Sequence, residues 1–270
     1  MGSLVTAVAS YLDIKQRAGR WLVRVDNIDP PREAAGAETQ ILNALHVHNL
    51  RPDAVLFQAQ HTDKYTRALD QLSPWCFYCT CSRRELRDHP AYPGTCRNER
   101  TPVEDAAIRC LTNGEVITWT DAINGRHTVA VDQAFGDFIL RRRDGLWGYN
   151  LACAVDDGNG QVTHVLRGDD LLDVTAPQIL LMQRLFPAIS PPEYAHIPVL
   201  RFEDGTKLSK QTQAPPLQLD DPAENLRSAL YYLGMQPPAG ARATNEWLSW
   251  AMEKWNPSNL TTVLPAYHAH

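Results

Sequence analysis

Leu4, Val8, Tyr11 and Leu12 recur at helical spacing, with Asp13, Lys15 and Arg17 as a charged face. The spacing predicts an amphipathic helix beginning at about residue 3. The stretch contains an Ala-x-Ala pattern, but no basic segment precedes it, so an export signal fits less well than a helix. Residues 21–25 read as a short strand that leaves through Asp29-Pro30-Pro31. Helices are expected over 36–50, where Ile41, Leu42 and Leu45 share a face, and over 62–72. Helix, strand, helix, helix implies a parallel sheet with crossover helices. From Trp75 to Tyr149 the texture shifts to short strands and turns, with strands at 129–131 and 138–140. The apolar runs 151–155 and 162–166 read as buried strands, 175–185 as a helix and 197–200 as a strand. Past Pro215-Pro216 the chain reads as helical, over 222–233 and 244–255. The pattern predicts an α/β domain in two parts, 1–74 and 150–215, with an insertion at 75–149 and a helical region at 216–270.

Composition narrows the function classes. The 270 residues are 44% hydrophobic and 21% charged, which is ordinary for a globular chain of one or two domains. No apolar run approaches the roughly 18 residues of a membrane span, so no membrane partner is expected. A formal charge of -5 excludes nucleic-acid binding by bulk positive charge and leaves only a local patch. Only five of the 26 basic residues are lysines, and although arginine suits phosphate and carboxylate recognition, compositional bias explains the excess equally well. Four of six cysteines crowd between Cys76 and Cys96, and such a cluster in the cytoplasm binds metal more often than it forms disulfides.

Four segments can carry chemistry. In Gly205-Thr206-Lys207-Leu208-Ser209-Lys210-Gln211 two lysines flank a hydroxyl residue in a glycine-led loop, a cradle for polyphosphate; on pattern alone a solvated basic turn is more common. Cys76-x2-Cys79-x-Cys81-x14-Cys96 offers zinc ligands, with the fourth place open among Cys76, Tyr92 and His89; spacing favours Cys76, since phenolate ligation is rare, and free buried thiols are the plain alternative. Arg24-Val25-Asp26 stands at a strand's carboxyl end, where open α/β sheets place ligands. Alternation puts Arg24 and Asp26 on one side, able to grip substrate charges or each other. The last segment runs from Arg141-Arg142-Arg143 through Tyr149 and Asp156-Asp157 to Arg167-Gly168-Asp169-Asp170. It admits a nucleic-acid patch and a metal site, or a basic face and strand caps.

In this order the segments resemble the glutamyl-Q tRNA(Asp) synthetase family, short paralogues of the glutamyl-tRNA synthetase catalytic core. The resemblance runs from Gly2 to about Gly234. It rests on Gly2 to Ala7, Arg24 to Arg32, Cys79-Thr80-Cys81-Ser82-Arg83, Tyr92-Pro93-Gly94-Thr95-Cys96-Arg97, Asp144 to Asp157, His164 to Leu172 and Lys207 to Gln211. It implies a Rossmann-like class I synthetase catalytic domain with an inserted zinc-bearing, acceptor-binding subdomain and a small helical C-terminal region. The implied activity is ATP-dependent formation of glutamyl-AMP, with Mg2+, and transfer of glutamate to queuosine at the wobble position of tRNA(Asp) by a cytoplasmic monomer. By the same resemblance Lys207 and Lys210 are catalytic, and Gly2, Ser209 and Lys210 contact ATP. Asp26, Tyr149 and Arg167 hold glutamate, and Cys79, Cys81, Tyr92 and Cys96 hold one structural Zn2+. Asp26 replaces the family's usual glutamate and is one methylene shorter.

The chain departs from the family at its start. The family's opening Pro-Ser-Pro-Thr-Gly-x-x-His-x-Gly-Ser signature is matched only at Gly2-Ser3. A misplaced start is preferred to a true truncation, and little activity is expected of the 270 residues by themselves. Only 59 residues follow Gln211, too few for an anticodon-binding region, which separates the chain from full glutamyl-tRNA synthetases. Two rival expectations remain. One is a catalytically silent zinc-bearing RNA-binding protein using Arg83, Arg84, Arg97 and Arg141 to Arg143; the other is a fragment of a glutamyl-tRNA synthetase.

Overall fold

A computed structural model describes residues 1–208, 217–257, 260 and 266–267. Helix α1 (Gly2–Gln16) forms because Leu4, Val5, Val8, Ala9 and Leu12 make one apolar stripe, buried to 4% exposure or less. Strand β1 (Leu22–Val25), helix α2 (Ala37–Val47), strand β2 (Ala54–Phe57) and helix α3 (Thr62–Gln71) follow, and β1 pairs in parallel with β2. The α1 stripe packs with helices α7 (Pro222–Tyr232) and α8 (Thr244–Lys254) through Leu226, Leu230, Trp247 and Leu248. Burying each leucine of the stripe contributes about 1.5–3 kcal/mol. Leu12→Ala is therefore expected to lower the unfolding free energy by about 2–5 kcal/mol in urea denaturation; a loss within about 0.5 kcal/mol would remove α1 from the core.

The middle of the chain supplies strands β3 (Cys76–Cys79), β4 (Ala107–Cys110), β5 (Val116–Asp121), β6 (Gly125–Ala130), the single-turn helix α4 (Val131–Ala134) and strand β7 (Ile139–Arg141). β3, β4 and β7 make a three-stranded sheet, antiparallel at both pairings. The β5–β6 hairpin belongs to another sheet, of order β6-β5-β9-β8, with β8 at His164–Gly168 and β9 at Glu193–Ile197. β8 and β9 are parallel, and β5 joins β9 in parallel at Asp121↔Tyr194. The parallel strands thus fall in two separate sheets, β1-β2 and the β5-β9-β8 part of the other, with Val23 of β1 and Leu166 of β8 packed against the α1 cluster. Helix α5 (Tyr149–Asp157) and helix α6 (Thr175–Leu185) pack against each other and α3 in a second core of Leu151, Ala152, Ile179, Leu181 and Tyr65.

Three expected strands need correction, and a fourth, at 129–131, is the end of β6, which stops at Ala130 before α4 begins at Val131. Residues 151–155 lie inside α5, every residue of which from Leu151 to Asp157 is buried. A helix buried all round has no polar face, so its apolar run is indistinguishable from a buried strand. The strand expected at 197–200 is β9, which ends at Ile197, and the one expected at 162–166 is β8, which starts at His164. The expected junction at Pro215-Pro216 lies outside the described residues.

Candidate active site and metal centre

The carboxyl end of β1 carries Arg24 and Asp26, and Arg24 Nε donates to Asp26 Oδ1 at 2.6 Å. Alternation thus put the two on one side, as expected, and they pair. The same guanidinium donates to the Asp157 carboxylate and lies 3.1 Å from Cys153 Sγ, both on α5. Burial works against the charged Arg24, but Cys153, Asp157 and Asp26 outweigh it and hold its pKa well above normal. Asp156 faces the opposite way and anchors α3: it accepts from Tyr65 Oη at 2.8 Å and Gln58 Nε2 at 3.1 Å, and lies 2.7 Å from His61 Nδ1. Asp156-Asp157 therefore ties β1, α3 and α5 together: both Asp156 oxygens meet protein groups, and Asp157 Oδ1 meets Arg24. Asp26 keeps 36% of its side chain exposed at the mouth of this cluster.

Tyr149 opens α5 directly after Gly148, where a Cβ would lie 2.4 Å from Ile139 O; only glycine lets the helix start that close to β7. Burial raises the Tyr149 phenol, the charges of Cys153 and Asp26 add to that, and Arg167 opposes it. The Tyr149 phenol therefore lies within electrostatic reach of both Asp26 and Arg167.

Arg167 is 8% exposed near the end of β8 and is held from several sides. Its Nε donates to His196 Nε2 at 3.0 Å, NH1 to Gln178 Oε1 at 2.9 Å, and NH2 to Thr175 Oγ1 at 2.9 Å and Leu171 O at 3.3 Å. Four of its five N–H groups are engaged, so two-point pairing with a carboxylate requires it to release one partner. His196 Nδ1 faces Asp121 Oδ2 at 2.6 Å, which places the ring proton on Nδ1 and leaves Nε2 to accept from Arg167. Sequence reasoning missed this Asp121–His196–Thr175–Gln178 support, whose members are scattered over β5, β9 and α6. Burial pushes the Asp121 carboxyl up, but hydrogen bonds from His196 and Asn124 outweigh it and bring it down to about 2. A depressed folded-state pKa contributes stability that is present above the normal carboxylate range and lost as pH falls through about 2. Between pH 4 and 2, Asp121→Asn is expected to lose less thermal stability than the unsubstituted chain; equal losses would remove Asp121 as the acid-sensitive group.

The loop expected to hold phosphate is described as far as Leu208; Ser209 and Lys210 lie outside the described residues. Lys207 Nζ sits 2.6 Å from Asp170 Oδ2, three residues beyond Arg167. A Cβ on Gly2 would lie 3.8 Å from Leu208 O. The start of the loop thus lies beside the first turn of α1 and is paired to the short helical turn that follows β8.

The cysteine cluster is distinct. Sγ atoms of Cys79, Cys81 and Cys96 lie within 4.8 Å of one another. Tyr92 Oη is 3.5 Å from Cys79 Sγ and 4.0 Å from Cys81 Sγ, and the two thiols of Cys81 and Cys96 are 3.5 Å apart. A tetrahedral zinc with Zn–S of about 2.3 Å needs sulfurs about 3.8 Å apart, so these three thiols and the Tyr92 hydroxyl fit the ion. Cys76 does not join them: its Sγ donates to Leu72 O at 3.1 Å, its partner across the sheet is Cys110, and it belongs to the α5–α6 core. His89 is exposed and has no place in the cluster. Burial pushes the Cys81 thiol up to about 11. Burial also acts on Cys96, but hydrogen bonds from the Tyr92 hydroxyl, the Thr80 backbone and the neighbouring thiols bring it down to about 7, which favours a thiolate for metal capture.

The expected basic patch is partly spoken for. Arg97 pairs with buried Asp137, Arg142 with Asp29 and Asp144, and Arg143 donates to Thr80 O, while Arg83 and Arg84 are exposed.

Residues 1–253 match the family model for the catalytic domain of class I tRNA synthetases (E and Q). A glutamyl-Q tRNA(Asp) synthetase of Pseudomonas fluorescens is 38% identical over 97% of this chain and 90% of its own length. That of Methylococcus capsulatus is 42% identical over 95% of this chain and 87% of its own. The chain belongs to the glutamyl-Q tRNA(Asp) synthetase family. It is thus a class I ligase of the glutamyl-tRNA synthetase type. The glutamate-tRNA synthetase of Elizabethkingia anophelis shares the fold, with a TM-score of 0.80 at 21% identity over 99% of this chain and 65% of that one. No helix among the described residues is long and apolar enough to cross a membrane.

Proposed function

We propose that the protein activates glutamate with ATP and transfers it to queuosine of tRNA(Asp). The α-carboxylate oxygen of glutamate attacks the α-phosphorus of ATP and pyrophosphate leaves. A hydroxyl of the modified base then attacks the acyl carbon, and AMP departs. Neither step needs a strong base; both need positioning and charge stabilisation. Asp26 takes the substrate ammonium, Tyr149 a hydrogen bond and Arg167 the side-chain carboxylate. Lys207, Ser209 and Lys210 take the role of phosphate contacts, together with Gly2 in the first turn of α1, and Mg2+ accompanies ATP. Cys79, Cys81, Tyr92 and Cys96 hold one structural zinc that stiffens the acceptor-side insertion.

The observation that supports this reading is that Tyr149, at the start of α5, feels the charges of Asp26, just past β1, and of Arg167 on β8, while Lys207 pairs with Asp170 three residues beyond Arg167. The names of the relatives supply the acceptor, tRNA(Asp). The test is pyrophosphate exchange by a version carrying the family's opening signature ahead of Gly2. Exchange is expected with glutamate and not with glutamine, followed by glutamate transfer to queuosine-bearing tRNA(Asp). Absence of exchange in that version would overturn the proposal, and transfer to the tRNA 3′ end would reassign the acceptor.

A further inference from the structure

Arg109 is a buried cation without a carboxylate. It lies 8% exposed on β4, and among the described residues it forms no ion pair. NH1 donates to Asp137 O at 2.7 Å, while Nε is buried with no partner. The nearby Asp137 carboxylate is already taken, by Arg97 at 2.5 and 3.1 Å and by Thr112 N and Oγ1 at 3.0 and 3.1 Å. Removing a guanidinium from water is costly unless something negative faces it. What faces Arg109 is Tyr92: its guanidinium carbon stands 4.1 Å from the ring centroid. Phe77, the cross-strand neighbour of Arg109, holds the same ring at 5.7 Å between centroids. Gly136 closes the back, since a Cβ there would lie 2.5 Å from Tyr92 N.

We propose that Arg109 is a positioning residue and counter-charge for the metal centre, fixing Tyr92 as the fourth ligand and balancing the anionic charge of the loaded cluster. The inference rests on the zinc reading above. Three thiolates bring three negative charges against the ion's two, so the occupied centre is anionic and gives Arg109 the partner it otherwise lacks. Nothing in the spacing of the cysteines points to residue 109; the sheet brings it there.

The test compares zinc affinity, by competition with a chromophoric chelator, with the thermal stability of the metal-free protein. Arg109→Met is expected to weaken zinc binding about 10- to 100-fold, as loss of a residue supporting a ligand does. The metal-free variant is expected to be as stable as the unsubstituted protein or more so, because an unpaired buried charge is gone. Arg109→Lys, which keeps the charge, is expected to recover most of the affinity. Equal zinc affinity for Arg109→Met and the unsubstituted protein would overturn the inference, and so would parallel loss of affinity and metal-free stability, the mark of a packing role. Failure of the unsubstituted protein to bind zinc would instead overturn the reading beneath it.

Discussion

Arg167→Lys is expected to lower kcat/KM for glutamate about 10²- to 10³-fold in pyrophosphate exchange, while KM for ATP stays within about twofold. Lysine keeps the charge but loses the planar fork. Arg167 reaches His196, Gln178, Thr175 and Leu171 O at once, and a single ammonium cannot replace those four contacts in one geometry. Breaking a buried charged network costs about 3–5 kcal/mol, which at about 1.4 kcal/mol per tenfold is roughly two to three and a half powers of ten, so the expected loss sits in the lower part of that span. The selectivity is the informative part. Equal losses for glutamate and ATP would show that the fold had given way, and unchanged glutamate kinetics would move the carboxylate elsewhere.

Cys81→Ser is expected to release the metal and loosen residues 79–100 while leaving glutamate activation in place. Structural zinc contributes about 10–16 kcal/mol where it organises a small module. Shared among four ligands, that is about 3 kcal/mol each, or roughly two powers of ten in zinc affinity. The β3-β4-β7 sheet has its own pairing and a core of Phe77 and Leu111, so the sheet is expected to survive. Zinc content per chain and limited proteolysis within 79–100 read the first effect, and pyrophosphate exchange with glutamate reads the second. Retained zinc at full stoichiometry would contradict the assignment of Cys81, and loss of exchange would tie the cluster to the catalytic cleft.

What the sequence revealed depended on whether each element keeps a polar face. α1 was legible in the chain because Leu4, Val8 and Leu12 recur at helical spacing while Ser3 and Gln16 stay exposed. α5 was not, because burial on every side erased its period. Asp26, Tyr149 and Arg167 each stand in a short ordered motif, and their proposed roles come from the family resemblance those motifs carry. Their support was not legible: Asp121, Thr175, Gln178 and His196 come from three elements, and only the β5–β9 pairing at Asp121↔Tyr194 brings the first and last together. The fourth position beside the three thiols had a physical answer in the strand itself. Cys76 and Cys79 are three apart on β3 and so project to opposite faces, whereas Phe77 and Cys79 share one. Cys76 therefore turns into the α5–α6 core, and Tyr92 is left facing the thiols.

The proposed site binds an acidic amino acid at Arg167 and nucleotide phosphate beside Lys207. Calorimetric binding of a non-hydrolysable glutamyl-adenylate analogue, to the protein carrying the family's opening signature, addresses both halves together, because a reaction intermediate's mimic binds far tighter than either substrate. Tight binding is expected, weakened about 100-fold or more by Arg167→Lys and again by replacing the glutamyl side chain with the shorter aspartyl one. Binding of the analogue that is indifferent to Arg167 and to side-chain length would contradict the claim.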